Sequence, residues 1–259
     1  MDLGISGKRA LVCAGSKGLG RACAMHLARE GAQVTIVARS PEGLQAAAAD
    51  ILADSGSKVV TVSADVATAE GRAAALAASP ELDILVNNCG GPPPGDFRSF
   101  TRDDWVRAFD ANMFSAIELI RSVVDDMAAR KFGRIVNITS AAVKNPAPML
   151  ALSNGMRAGL TGFVGGVSRE VARHNVTINN LLPGAFATDR LLQAFLPRAQ
   201  NASLSVEEFM QKTAAASVSG RMGDPDEFGA ACAFLCSQYG GYITGQNLVL
   251  DGGEFRGML

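Results

Sequence analysis

Residues 13–20, Cys13-Ala14-Gly15-Ser16-Lys17-Gly18-Leu19-Gly20, join a short apolar run to a helix-like segment. A bound diphosphate needs this order of parts. Glycines let the backbone come close to the phosphates, and the start of the helix offers free N–H groups and positive potential. A glycine trio alone is weak evidence, and its place between strand and helix is what gives it weight. The second apolar run ends in Ala38-Arg39-Ser40. An acid at this point would accept hydrogen bonds from a ribose 2′-hydroxyl and repel a 2′-phosphate. Arg39 instead presents a guanidinium fork to a phosphate, Ser40 adds a hydroxyl, and Lys17 adds a second cation on the same side. Together they predict NADP(H) as the cofactor.

The elements that must hold these groups follow from periodicity. Short apolar runs at 9–13, 33–38, 58–63, 83–87, 134–139, 177–182 and 247–250 read as strands. Between them lie helical segments at 19–30, at 41–54 (opened by Pro41, where a missing N–H is harmless), at an alanine-rich stretch after 63, at 101–130 and at 150–173. The proline run Gly90-Gly91-Pro92-Pro93-Pro94-Gly95 can be neither helix nor central strand and reads as a rigid surface loop. Strand alternating with helix means parallel pairing with right-handed crossovers. The expected fold is therefore α/β: a single doubly wound (Rossmann) domain over 1–259, with a seven-stranded parallel sheet and helices on both faces. Ligands belong at the carboxyl ends of its strands. Residues 185–221 are the least regular. Their apolar residues (Leu191, Leu192, Phe195, Leu196, Phe209, Met210) fit a lid over that crevice, and equally a surface helical pair packed for stability.

The composition excludes several classes. The chain has 259 residues, is 48% hydrophobic and 19% charged, and carries a net charge of −1. This is ordinary globular usage, with no basic excess for nucleic acid or an acidic membrane surface. No run of about 18 apolar residues is present, and no secretory leader is visible. Five cysteines form no CxxC pair and no ligand-like grouping with His26 or His174, so buried free thiols, no metal site and a cytoplasmic location are expected. Tyrosine is scarce: only Tyr239 and Tyr242, both near the C-terminus.

The ordered motifs carry a resemblance. The glycine loop is similar to TGxxxGxG, with Cys13-Ala14 in place of Thr-Gly. Asp65-Val66 matches an adenine-contacting pair, and Asn87-Asn88-Cys89-Gly90 matches NNAG. Asn112, Asn137-Ile138-Thr139-Ser140, Pro183-Gly184 through Thr188, and Thr244-Gly245-Gln246 through Asp251-Gly252-Gly253 follow in the same order. Nearly end to end, the chain resembles the classical short-chain dehydrogenases/reductases, most of all the 3-oxoacyl-carrier-protein reductases. The resemblance implies cofactor contacts from Gly15, Ser16, Lys17, Gly18, Leu19, Gly20, Arg39, Ser40, Asp65, Val66, Asn88, Gly90, Pro183, Gly184 and Thr188. It makes Ser140 the catalytic serine and Asn112 the anchor of a proton-relay water. It also implies a small-molecule substrate and a homotetramer, with a dimer as the fallback. The glycines Gly159, Gly162, Gly165 and Gly166 would admit a close neighbouring helix.

One motif departs. Thirteen residues past Ser140, where the family has YxxxK, the chain reads Ser153-Asn154-Gly155-Met156-Arg157. In the family the lysine lowers the tyrosine's pKa and holds the nicotinamide ribose, and the tyrosine protonates the alkoxide. Serine is a far weaker acid and a shorter side chain. Arg157 can hold ribose hydroxyls but does not exchange a proton, because a guanidinium stays charged. Lys144, four residues past Ser140 in the loop at the strand's carboxyl end, is the alternative donor, or else a solvated loop lysine. Three functions fit: an NADPH-dependent carbonyl reductase with a changed proton path, an NADP-binding regulator or scaffold, or an enzyme of another reaction type using the same crevice.

Overall fold

The apolar runs form seven parallel strands, the five central ones buried on both faces and the two edge strands, at 60–63 and 247–250, more exposed. The computed structural model describes residues 1–258. Its elements are β1 (Arg9–Cys13), α1 (Gly18–Arg29), β2 (Gln33–Ala38), α2 (Pro41–Ser55), β3 (Val60–Ser63), α3 (Ala69–Ala77), β4 (Ile84–Asn87), α4 (Arg102–Phe109), α5 (Ser115–Ala129), β5 (Gly133–Ile138), α6 (Ala151–Val171), β6 (Val176–Pro183), α7 (Asp189–Asn201), α8 (Val206–Ala216), α9 (Pro225–Cys236) and β7 (Asn247–Leu250). The sheet runs β3-β2-β1-β4-β5-β6-β7. Its order reverses between β1 and β4, which puts the ligand crevice at their carboxyl ends.

Two apolar cores flank the sheet. One joins Leu27 of α1, Leu44 and Ile51 of α2, and Phe228 and Cys232 of α9. The other joins Ala75, Leu119, Ile120, Leu160 and Val164 from α3, α5 and α6. The doubly wound fold expected from the alternation is therefore the one present.

Two local differences matter. The helix expected over 101–130 is not uniform: α4 and α5 are joined by a π-helical turn, Asp110–Phe114. Such turns concentrate at functional sites, and this one carries Asn112. Helix α9 was not anticipated, although Asp224 caps it in a reciprocal box with Glu227 and Pro225 opens it. Its Gly229 lets it lie directly on α1, where a β-carbon would come within 2.5 Å of the Ala22 carbonyl oxygen.

An in-register row of asparagines crosses the centre of the sheet. Asn87 donates to Asn137 Oδ1 (2.9 Å), Asn137 to Asn180 Oδ1 (3.1 Å), and Asn180 to Asn247 Oδ1 (2.7 Å). Each amide polarises the next. The row ends at Asn87 Oδ1, which is buried without a partner among the described residues.

Candidate functional site

The phosphate end of the crevice is built by close packing. Gly20 can be nothing larger, since a β-carbon there would stand 2.3 Å from the Ala14 carbonyl oxygen. Lys17 precedes α1 without a side-chain cap, so no protein side chain covers the first N–H groups of the helix, and they can meet an anion. Ala14, where the family motif has glycine, is held at φ +49°. The left-handed region costs an alanine about 1–2 kcal/mol, of which glycine's looser unfolded chain gives back about half. Ala14→Gly is therefore expected to stabilise the protein by about 0.5 kcal/mol, read as a small rise in Tm.

Arg39 is four-fifths exposed at its side chain, and its nearest carboxylate, Asp65, is 4.0 Å away. It is free to take a phosphate. Ser40 is more committed: its Oγ accepts from Gly43 N and donates to Glu42, both at 3.0 Å, so a phosphate must compete with Glu42 for that proton. Thr188 caps α7 by accepting from Leu191 N at 3.4 Å. A β-carbon on Gly18 would lie 3.5 Å from Thr188 Cγ2, so the glycine loop and the Pro183–Thr188 segment share one wall of the crevice.

At the other end of the crevice, Ser140 lies two residues past β5 and caps the short turn Ala141–Val143, accepting from Ala142 N at 3.1 Å. Ser153, buried on the first turn of α6, accepts from Arg157 Nε at 3.2 Å. Neither hydroxyl proton has an acceptor among the described residues, so both serines can donate to a carbonyl oxygen. Arg157 is itself buried. Its Nη1 donates to the carbonyls of Ile138 (2.7 Å) and Thr139 (2.6 Å). Burial holds this guanidinium below its ordinary pKa. The arginine thus fastens α6 to the end of β5 that bears Ser140, and only Nη2 is left facing the crevice, 3.6 Å from where a Gly91 β-carbon would stand.

Asn112 is buried in the π turn, and its Oδ1 accepts from the Cys89 thiol at 3.3 Å. Burial raises the pKa of that thiol, against the pull of Arg157 and Arg190. Beside it lies a cavity of about 10 Å³ lined by Asn87, Asn88, Cys89, Asn112 and Ser115. Its other wall is apolar, with Val66, Ala116, Leu119, Ile138 and Leu160, its volume is about that of one water, and it lies where the unpartnered Asn87 Oδ1 ends the asparagine row.

Lys144 follows the Ser140-capped turn and is half-buried. Its ammonium lies 5.4 Å from the centre of the Phe255 ring. It makes no ion pair or hydrogen bond with the described residues, and none with Ser140 or Ser153. In the 185–221 segment, α7 and α8 pack on each other through Phe195 and Phe209, edge to face at 5.3 Å. Those two rings fill the helical pair itself. Leu191 and Leu192 remain half-buried. Sequence reading passed over Arg190, which donates from Nη2 to the Gly91 carbonyl at 3.2 Å. The one available signal was an arginine two residues past Thr188. Four of the five cysteines are buried and all are free. No metal-binding cluster and no helix long and apolar enough to cross a membrane occur among the described residues.

The chain is similar to known proteins in sequence and fold. The family model described as enoyl-(acyl carrier protein) reductase matches residues 13–254. The 3-oxoacyl-(acyl-carrier-protein) reductase of Vibrio cholerae is 34% identical, covering 98% of this chain and 99% of that protein. The NADPH-dependent reductase BacG of Bacillus subtilis is 30% identical over 97% and 99%. The crystal structure of L-sorbose reductase from Gluconobacter frateurii, complexed with NADPH and L-sorbose, superposes with a TM-score of 0.93 at 30% identity, covering all of both chains. With its reversed sheet order, glycine loop and Ser140 at the end of β5, the chain belongs to the short-chain dehydrogenase/reductase family.

Proposed function

We propose that the protein is an NADPH-dependent oxidoreductase that reduces a carbonyl, a 3-oxoacyl thioester or related ketone, with a catalytic site that lacks the family's tyrosine and lysine. The observation that carries this reading is the coherence of the two ends of the crevice. The glycine loop and Arg39 fit a 2′-phosphorylated dinucleotide, and Ser140 and Ser153 present two free hydroxyl donors at the end of β5. A regulator that only binds the cofactor has no use for the second end.

NADPH, when bound, supplies the hydride. The chain's own residues do the rest. Lys17, Arg39 and the open N–H groups of α1 hold phosphates, Asp65 and Val66 border the adenine end, and Asn88, Gly90 and Thr188 border the nicotinamide end. Ser140 and Ser153 donate to the carbonyl oxygen and stabilise the negative charge that grows on it. Arg157 acts on Ser153, polarising its hydroxyl, and has both N–H bonds of Nη2 uncommitted, one of them for a ribose hydroxyl. Asn112 and the adjoining cavity hold a water. Lys144 is the proton donor: it carries an ammonium on a flexible stem, half-buried in the loop that follows Ser140 and held by no ion pair among the described residues. Helices α7 and α8 act as the lid over the substrate.

Arg39→Asp is expected to lower kcat/KM for NADPH by about 30-fold or more, because it removes a charge-assisted fork and adds repulsion, and to raise relative activity with NADH. Steady-state kinetics with the two cofactors check this. The reading extends to a cytoplasmic homotetramer, with a dimer as the fallback. Its support is the open space over Gly162, Gly165 and Gly166 on α6 and the partly exposed Trp105, Val106 and Phe109 on α4. Light scattering should give four times the chain mass, and a monomer would overturn the assembly.

The test of the activity is NADPH oxidation with a panel of ketones, 3-oxoacyl thioesters and quinones, with the alcohol product quantified. One product per NADPH supports reduction. Tight NADPH binding without turnover across the panel supports a regulator, and conversion without net NADPH consumption supports another reaction type.

A further inference from the structure

We infer that Arg157 and Arg190 form an anion site over Gly91, and that it takes a carboxylate on the substrate close to the carbonyl being reduced. The inference rests on the reductase reading and narrows its ketones to oxo acids. The two guanidinium groups come from different elements, α6 and the first turn of α7, and meet at one backbone position. A β-carbon on Gly91 would stand 2.6 Å from Arg190 Nη2 and 3.6 Å from Arg157 Nη2, and one on Gly90 would stand 4.0 Å from Arg190 Nη1. A side chain at Gly91 would push the Arg190 guanidinium away from this spot. Neither arginine has a carboxylate within 4.0 Å among the described residues, although most of the other arginines that face a neighbour do. Arg157 spends its other donors on Ser153, Ile138 and Thr139. The one hydrogen bond of Arg190 is to the Gly91 carbonyl.

Two like charges at one spot, one of them buried, are costly unless an anion joins them. Each planar fork matches a carboxylate. The position argues for substrate over cofactor phosphate. The phosphate-binding parts, the glycine loop and Arg39, follow β1 and β2. The arginine pair instead lies at the ends of β4 and β5, and Arg157 grips the carbonyl of Thr139, the residue just before Ser140. An anion held there is a short distance along a molecule from a carbonyl held by Ser140. Since Arg157 joins the anion site to the residue before Ser140, the carboxylate and the carbonyl belong close together, as in a 2- or 3-oxo acid.

The test measures binding of acetoacetate and of its methyl ester to the protein saturated with NADP+, by titration calorimetry, so that no turnover intervenes. Arg157 also fastens the fold, so the decisive variant is Arg190→Gln, at an exposed position. Wild type is expected to bind the acid at least about tenfold more tightly than the ester. Arg190→Gln should bring the acid to the ester's affinity and leave the ester unchanged, with Arg190→Lys between the two. Equal binding of acid and ester by wild type would overturn the site. So would an Arg190→Gln variant that loses NADP+ affinity while keeping the acid preference, which would assign the pair to the cofactor's phosphates. An acid preference that depends on Arg190 in a protein without NADPH turnover supports the anion site and refutes the reductase reading, so the two fail separately.

Discussion

Lys144→Ala is expected to lower kcat by about 10²-fold, as the loss of a general acid does, while Ser153→Ala costs less than about tenfold. The order follows from what each group can do. Ser153 accepts from Arg157 and can donate a hydrogen bond to the substrate oxygen, but a serine hydroxyl is too weak an acid to give up its proton. Lys144 carries protons to give, is half-buried at the end of β5, and is committed to nothing stronger than the face of the Phe255 ring. Leaving that ring needs only a rotation of a flexible side chain. Measured on purified variants with the same ketone, the ratio of the two kcat values decides. If Ser153→Ala proves the more damaging, Lys144 is not the donor.

Ser140→Ala should be at least as severe, with kcat/KM down about 10²–10³-fold, the cost of removing one preorganised donor to a developing oxyanion. The backbone fixes this serine. Its Oγ accepts from Ala142 N, Arg157 holds the two carbonyls before it, and the strand it follows is buried throughout. Alanine also loses the cap of the Ala141–Val143 turn, so a thermal melt must accompany the kinetics. A melt within a few degrees of wild type, with the activity lost, assigns the effect to chemistry. Retained activity would remove Ser140 from the site.

The parts of the molecule that sequence made readable are those whose rules are local. Five doubly buried strands write themselves as apolar runs, the more exposed edge strands β3 and β7 do so over four residues each, and the proline at 41 and the glycine loop each declare a boundary. The π turn was hidden because one extra residue in a helix leaves its apolar pattern nearly intact. Helix α9 was missed for a different reason. Beyond its first turn, its outward face carries Ala230 and Phe234 where a surface helix usually has polar residues, so no polar face shows a period, and its Asp224–Glu227 box and Pro225 announced it. At the site, Ser140, Ser153 and Arg157 were found by counting. What counting could not give is direction: the main guanidinium bonds of Arg157 go inward to β5, and Arg190 reaches back from 99 positions further along the chain to Gly91. Those are tertiary facts. They convert a missing lysine into a strut and leave a pair of positive charges at the mouth of the crevice.

The central claim is that this crevice transfers hydride to a carbonyl without the family's tyrosine. The most direct measurement uses NADPH carrying deuterium at nicotinamide C4 and follows the product by mass spectrometry. The expected result is an alcohol with one deuterium on the former carbonyl carbon for each labelled NADPH consumed, from one face of the nicotinamide only. Cofactor bound tightly with no labelled alcohol from any ketone, thioester or oxo acid would contradict the account.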